Sequence, residues 1–254
     1  MITLASDFGA HYPAAMRGVL AAESDARILD VTHELPRQDV RAGAFWLREL
    51  LVSFPPAVHC AVVDPGVGTD RRALVVEAGP HRLVGPDNGL LLPAARRLAP
   101  ADSIACYEWA IRSPASNTFH GRDVFAPCAA AVHDRPPGDL GSHPRLTPVS
   151  EPVALSLPQP TIEAGQDPRG VVLVVDGFGN AITNLPGSLL AGRAGQAVTV
   201  NGRAATVVEA YAEVDDGAPV VTVGSHGNVE CAVTEGRGTD AFGLAPGDAV
   251  RLSR

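Results

Sequence analysis

The run Val58 to Arg72, VHCAVVDPGVGTDRR, holds the residue types best suited to chemistry. Its apolar part, Cys60 to Val63, reads as a buried strand of a parallel sheet that ends on Asp64. Pro65, Gly66 and Gly68 then break the strand and force a tight loop, and Arg71 follows across the turn. Ligands of open α/β sheets collect beyond the carboxyl ends of strands, so Asp64 stands where chemistry is expected. A carboxylate and a guanidinium on one compact loop can share a small polar substrate such as water. The competing account is an Asp capping its own turn and an Arg on the surface.

Three other stretches place reactive types at turns. Ser6-Asp7-Phe8-Gly9 closes a strand from Ile2 to Ala5, where Asp7 is either a helix cap or an acceptor for a ribose diol. Ser116-Asn117-Thr118-Phe119-His120-Gly121-Arg122-Asp123 precedes a small-residue helix, Val124 to His133, and its polar groups can bind an anion at the helix start. Asp123 there either caps the helix or pairs with Arg122, and His120 has no evident structural duty. Asp176-Gly177-Phe178-Gly179-Asn180 offers an amide that can both donate and accept, as an adenine edge demands, beside a ring that can stack on a base. Its bland counterpart is a hairpin turn with a core Phe. His33 has no partner at metal-ligand spacing and reads as a hydrogen-bonded structural residue.

The elements that must position these residues alternate. Strands are expected at Ile2 to Ala5, Arg27 to Val31, Val58 to Val63, Ala73 to Ala78 and Arg82 to Val84. Helices are expected at Tyr12 to Ala22, Val40 to Leu51 and Leu90 to Leu98, with Gly85-Pro86-Asp87-Asn88-Gly89 as a turn of conspicuous composition. This is the pattern of a parallel sheet with helices on its faces. Neither a phosphate-binding P-loop nor a dinucleotide fingerprint after the first strand is present. From Arg135 the chain is rich in proline (Pro136, Pro137, Pro144, Pro148, Pro152, Pro158, Pro160, Pro168), which excludes a long helix. Beyond it come Val-rich strands at Gly170 to Asp176, Ala197 to Val200, Ala204 to Val208, Val220 to Val223, Val229 to Val233 and Ala249 to Leu252, separated by Asn-Gly and Asp-Gly turns. The expected fold class is thus an α/β domain with a parallel sheet over 1–150, a Pro-rich linker over 151–168, and a smaller antiparallel β-barrel domain over 169–254.

With 254 residues, 46% of them hydrophobic, the chain can bury a sizeable core, and its 5% aromatic content makes that core mainly Ala, Val and Leu. A net charge of −8 without a basic block argues against nucleic acid as a partner but permits a small cationic ligand. Cys60, Cys106, Cys128 and Cys231 show no Cys-x-x-Cys spacing and read as core residues of a reducing compartment. No signal peptide and no membrane span is expected, which points to a soluble, cytoplasmic protein.

Taken in order, six motifs resemble the S-adenosyl-L-methionine hydroxide adenosyltransferases, relatives of the fluorinating and chlorinating adenosyl enzymes. They are Ser6–Gly9, Asp30-Val31-Thr32-His33, Val63-Asp64-Pro65-Gly66-Val67-Gly68-Thr69, Gly85–Gly89, Phe119–Asp123 and Asp176–Asn180. The resemblance implies hydrolysis of S-adenosyl-L-methionine to adenosine and L-methionine by attack of water at ribose C5′, with no metal and no cofactor. It implies that Asp64, Arg71 and His120 handle the water and that Asp7 holds the ribose hydroxyls, with Phe8 among the substrate-binding residues. Phe178 and Asn180 would line the adenosine pocket, Asp176 would lie nearer the methionine end, and Ser225 would contact the methionine carboxylate. The stretch after Ser225, beginning with His226, departs most from the family's pattern. The resemblance further implies a homotrimer whose substrate lies between the N-terminal domain of one subunit and the C-terminal domain of its neighbour. The halogenating relatives differ at the Asp and His positions and carry an extra loop for which Asp87 to Phe119 leaves no room. Three rivals remain: a halogenase, a non-catalytic protein that binds S-adenosyl-L-methionine or adenosine, and a metal-dependent hydrolase using His33, His59, Asp64 and His120.

Overall fold

Strand β1 (Ile2–Ser6) is wholly buried and forms the axis of the first half of the chain. It pairs in parallel with β2 (Ile28–Thr32) on one side and with β3 (Val58–Val62) on the other. The computed structural model describes residues 1–136 and 138–253; Pro137, within the proline-rich stretch, and Arg254, at the end of the expected barrel domain, lie outside the described residues. The chain divides into two compact units, Met1–Ser156 and Leu157–Arg254.

In the first unit, β4 (Ala73–Ala78), β5 (His81–Pro86), β6 (Ile104–Trp109) and β7 (Leu146–Pro148) extend the sheet to the order β2-β1-β3-β5-β4-β6-β7. Only β2, β1, β3 and β5 run parallel; β4 is antiparallel to β5 and β6, and β6 to β7. The sheet is therefore mixed. Gly79 and Pro80 alone join β4 to β5, and a parallel pair would need a crossover of about a dozen residues. Helices α1 (Tyr12–Glu23) and α4 (Ala126–His133) cover one face, where Ile2, Leu4, Met16, Leu20 and Phe125 pack together. Helices α2 (Val40–Leu50) and α3 (Leu92–Leu98) cover the other with Leu47, Leu83, Leu90 and Ala94. Alternation along β1 sends Leu4 to the first core and Ala5 to the second, as the two-residue period of a strand requires. Asp39 caps α2, its side chain accepting from the Ala42 N–H at 2.9 Å.

The second unit holds β8 (Arg169–Val175), β9 (Ala181–Pro186), β10 (Ala197–Val200), β11 (Arg203–Val207), β12 (Pro219–Val223), β13 (Asn228–Val233) and β14 (Ala249–Ser253). They close a barrel in the order β10-β11-β12-β13-β9-β8-β14, with β14 returning to β10. All pairs are antiparallel except β11 with β12. Asn201 and Gly202, both at positive φ (50° and 84°), make the two-residue turn between β10 and β11 that the Asn-Gly pair announces. The interior is Val-rich, with Val172, Val198, Val200, Val221 and Val229 all buried. A short helix, α5 (Gly238–Phe242), contributes Phe242 to it.

Candidate active site

Asp64 lies just past the carboxyl end of β3, and its side chain is only 4% exposed. Arg71 reaches back across the loop and clamps it: Nε donates to Oδ1 at 3.0 Å and to Oδ2 at 3.1 Å, while Nη2 also meets Oδ2. This paired geometry holds the carboxylate plane in one orientation. The Arg71 side chain is itself 10% exposed, so the surface account of Arg71 does not describe the fold. Its guanidinium lies over the Phe125 ring, 4.9 Å from the centroid. Its Nη2 also lies 2.8 Å from His120 Nδ1. A guanidinium has only protons to donate, so Nδ1 accepts and the His120 proton sits on Nε2. Burial and the neighbouring Arg71 cation pull the His120 pKa below the ordinary imidazole value, against the opposing pull of Asp64 and Asp123. Arg71 Nη1 is buried without a hydrogen-bond partner among the described residues.

Asp64 and His120 open onto a cleft of about 450 Å³ in the first unit, lined also by Phe8, Tyr12, Val67 and Phe119. The rings of Phe8, Tyr12 and Phe119 meet edge to face, with centroids 5.3–6.5 Å apart. Two close approaches explain glycines here. Gly68 sits at φ 81°, where a Cβ would lie 2.6 Å from the Asn117 carbonyl oxygen; at Gly121 a Cβ would lie 2.7 Å from the Phe8 ring. His120 immediately precedes a π-helical turn, Gly121–Phe125, which straddles the expected boundary between the polar stretch and the helix from Val124. Such turns widen a helix locally and are frequent at functional sites. Asp123 does not cap a helix: it pairs with Arg122 and accepts from the Ser116 N–H at 2.8 Å, which pulls its pKa below the usual carboxylate value. Asp7 does not cap α1, whose N-terminal flank is His11; its Oδ2 accepts from the Gln38 N–H at 2.8 Å. His33 is tied to Ser6 Oγ and to Asp30 at 2.8 and 3.1 Å, a structural role.

Four residues singled out in the second half of the chain, Asp176, Phe178, Asn180 and Ser225, line one cavity of about 660 Å³ in the second unit. Asp176 builds its loop: Oδ1 accepts from the N–H groups of Phe178 and Asn180 at 2.9 and 2.8 Å, and Oδ2 from Asn180 Nδ2 at 3.0 Å. Phe178 is 81% exposed, so it is not a core residue. The sequence reading missed Glu230, which lines the same cavity while only 8% exposed. Its carboxylate meets His226 Nε2 at 2.9 Å and the Tyr211 hydroxyl at 3.4 Å. Burial, helped by the Glu230 and Asp176 charges, pushes the Tyr211 pKa up. The available signal was a single carboxylate inside the apolar run Val229 to Val233, because a charge is rarely buried without a partner or a task. Among the described residues no cluster of three or more His, Cys, Asp or Glu is placed to hold a metal ion, and no helix is long and apolar enough to cross a membrane.

Residues 2–141 match the S-adenosyl-L-methionine hydroxide adenosyltransferase N-terminal domain, and residues 170–251 match its C-terminal domain. A (R)-S-adenosyl-L-methionine hydrolase of Salinispora tropica is 41% identical, over 99% of this chain and 97% of that protein. Its namesake from Thermus thermophilus is 43% identical, over 97% of both. Among solved structures, an uncharacterized conserved protein from Thermotoga maritima superposes over 100% of both chains with a TM-score of 0.86 at 31% identity. A conserved hypothetical protein from Thermus thermophilus gives a TM-score of 0.76 at 40% identity, over 99% of this chain and 98% of that one. With both domains matched in order and relatives aligned along nearly its whole length, this chain belongs to the S-adenosyl-L-methionine hydroxide adenosyltransferase family.

Proposed function

We propose that this protein hydrolyses S-adenosyl-L-methionine to adenosine and L-methionine, with water attacking ribose C5′. The observation that carries the reading is the buried Asp64 carboxylate, clamped by Arg71 and opening with His120 onto one cleft. The names of the full-length relatives support the same reaction. The sulfonium makes C5′ electrophilic and leaves as neutral methionine, so the reaction needs no cofactor. The protein must supply a water molecule in line with the C5′–S bond and stripped of its solvent cage. Asp64 can only accept hydrogen bonds, which suits a water and opposes a halide; this favours hydrolysis over halogenation. As the oxygen bonds to C5′ and the C5′–S electron pair leaves with sulfur, the water oxygen turns positive and releases one proton, through its hydrogen bond to Asp64, to bulk water. Asp64 orients the water and stabilises the positive charge that grows on its oxygen, and Arg71 holds the carboxylate in that orientation. His120 acts through Arg71, since its Nδ1 lone pair is already engaged.

Asp7, beside Phe8, is the acceptor for the ribose hydroxyls. Phe178 and Asn180 serve the adenine, Asp176 the methionine side, and Ser225 the methionine carboxylate. The protein acts as a cytoplasmic homotrimer; the free Cys60, Cys106, Cys128 and Cys231 suit a reducing compartment.

The test is incubation with each sulfonium epimer of S-adenosyl-L-methionine in ¹⁸O-labelled water. Adenosine labelled at its 5′ oxygen is expected, and the relatives' names predict preference for the R epimer. Asp64→Ala should lower kcat by about 10³-fold while still binding adenosine, since the variant loses the water's partner and keeps Asp7, Phe178 and Asn180. Unchanged substrate with bound adenosine would make this a binding protein, and halide-dependent 5′-halo-5′-deoxyadenosine a halogenase.

A further inference from the structure

The turn Gly85-Pro86-Asp87-Asn88-Gly89 has no part in the chemistry above, yet it touches the reactive loop at both ends. Asn88 Nδ2 donates to the carbonyl oxygen of Val63, the residue before Asp64, at 2.9 Å. Asp87 Oδ2 accepts from Nε of Arg72, the residue after Arg71, at 2.7 Å, and the Asp87 N–H donates to the Arg72 carbonyl oxygen at 3.0 Å. The Asp87 side chain is 2% exposed, and its Oδ1 accepts from the Val153 N–H at 2.8 Å. The two neighbours therefore hold the residues that flank Asp64 and Arg71. Strand pairing explains how one turn reaches both: β5, which leads into it, lies between β3 and β4, the strands on either side of the loop.

The loop needs such a hold. Between Val63 and Arg72 it contains Gly66 and Gly68, and apart from the Asp64–Arg71 pair itself its internal bonds are local: Val67 N–H to Asp64 O at 3.3 Å, Thr69 N–H to Gly66 O at 3.2 Å, and Thr69 Oγ1 to Gly66 O at 2.7 Å. None of these fixes the spacing of its two ends. A paired carboxylate–guanidinium contact tolerates little displacement, and an error of about 1 Å in a reacting group costs on the order of 100-fold in rate.

We propose that Asp87 and Asn88 are positioning residues for the reaction, setting the Asp64–Arg71 geometry by gripping the two ends of the loop that carries it. The proposal rests on the hydrolase reading for its rate readout but not for its structural one. Asn88 allows a sharp test because its two side-chain atoms do different things. Oδ1 accepts from the Leu90 N–H at 3.1 Å, closing the turn, while Nδ2 alone reaches Val63. Asn88→Asp keeps the acceptor and loses the donor; Asn88→Ala loses both.

Both variants are to be assayed for kcat and KM, for adenosine affinity, for thermal stability, and for the hydrogen-exchange rate of the Arg71 Nε–H by NMR. Asn88→Asp is expected to melt close to wild type and bind adenosine within about threefold, with kcat down roughly 10- to 100-fold. Its Arg71 Nε–H should exchange faster. If Asn88 only closes the turn, Asn88→Asp will match wild type in kcat and in Nε–H protection while Asn88→Ala alone is impaired, and the proposal is overturned. Should wild-type protein fail to turn over either epimer, the hydrolase reading falls, and the Nε–H exchange still decides whether the grip exists.

Discussion

His120 Nδ1 faces a guanidinium that can only donate, so the contact exists only while the imidazole is neutral. Burial and Arg71 together hold its pKa below 6.5, which keeps it neutral at physiological pH. Acidification through that lowered pKa places a proton on Nδ1 against a cation, and the Arg71 contact breaks. A kcat profile should therefore show an acid limb with a midpoint below 6.5. His120→Gln retains an acceptor for Arg71 and cannot titrate, so it should keep most of the neutral-pH rate and lose that limb. His120→Ala should lose roughly 10²-fold at all pH values. A limb that persists unchanged in His120→Gln would assign the titration to another group and remove His120 from the Arg71 network.

Strands β3 and β5 carry a second histidine system at their amino ends, remote in role from the reaction. His59 Nδ1 meets Thr3 Oγ1 at 2.8 Å and His59 Nε2 meets His81 Nδ1 at 3.0 Å, in stacked rings 1% and 7% exposed. Burial, and then the proximity of His81, lowers the His59 pKa to about 3; burial lowers that of His81. Unfolded imidazoles protonate near 6.5, so the stability these groups contribute is complete above that pH and is lost as pH falls toward about 3. Urea unfolding between about pH 7 and 5, above the carboxylate range, should show stability falling with a slope of up to about 1.4 kcal/mol per pH unit for each extra proton bound by the unfolded chain. His81→Gln should flatten that slope. The pair was invisible in the sequence because His59 and His81 meet only across the β3–β5 ladder. The same limit governs the rest of the fold. Long periodic elements such as β4 and α2 were legible, because a strand's alternation and a helix's repeat are local properties. By contrast β9 has no counterpart among the expected strands: Asn184 and Pro186 are poor strand formers, yet Asn184 Oδ1 accepts from the Val171 N–H at 2.8 Å, beside a register shift in the β8–β9 ladder. The antiparallel half of the first sheet was equally hidden, since it depends on which strands pair after the Gly79–Pro80 turn.

At the scale of the whole molecule, the candidate residues fall into two groups in two compact units: Phe8, Asp64 and His120 line a cleft in the first, and Asp176, Phe178, Asn180 and Ser225 line a cavity in the second. Each motif taken alone left a structural alternative open; it was the ordered set of six, through its resemblance to the adenosyltransferases, that pointed to these residues, and Ser225, outside all six, came from the resemblance alone. Glu230 was harder to find: a lone carboxylate in the apolar run Val229 to Val233 marks it, but only the folded barrel shows that it faces a cavity rather than solvent. The homotrimer reading makes this division testable, since it expects each site to draw the two groups from different subunits. Asp64→Ala and Asn180→Ala subunits, each inactive alone, should then complement when co-expressed. In randomly mixed rings about a quarter of sites would pair an intact first group with an intact second, so about a quarter of wild-type activity should return. The assembly itself should have three times the 26.3 kDa mass of the chain by light scattering. A trimer without complementation would put both groups of each site on one chain, and a monomeric mass with full activity would remove the shared-site reading altogether.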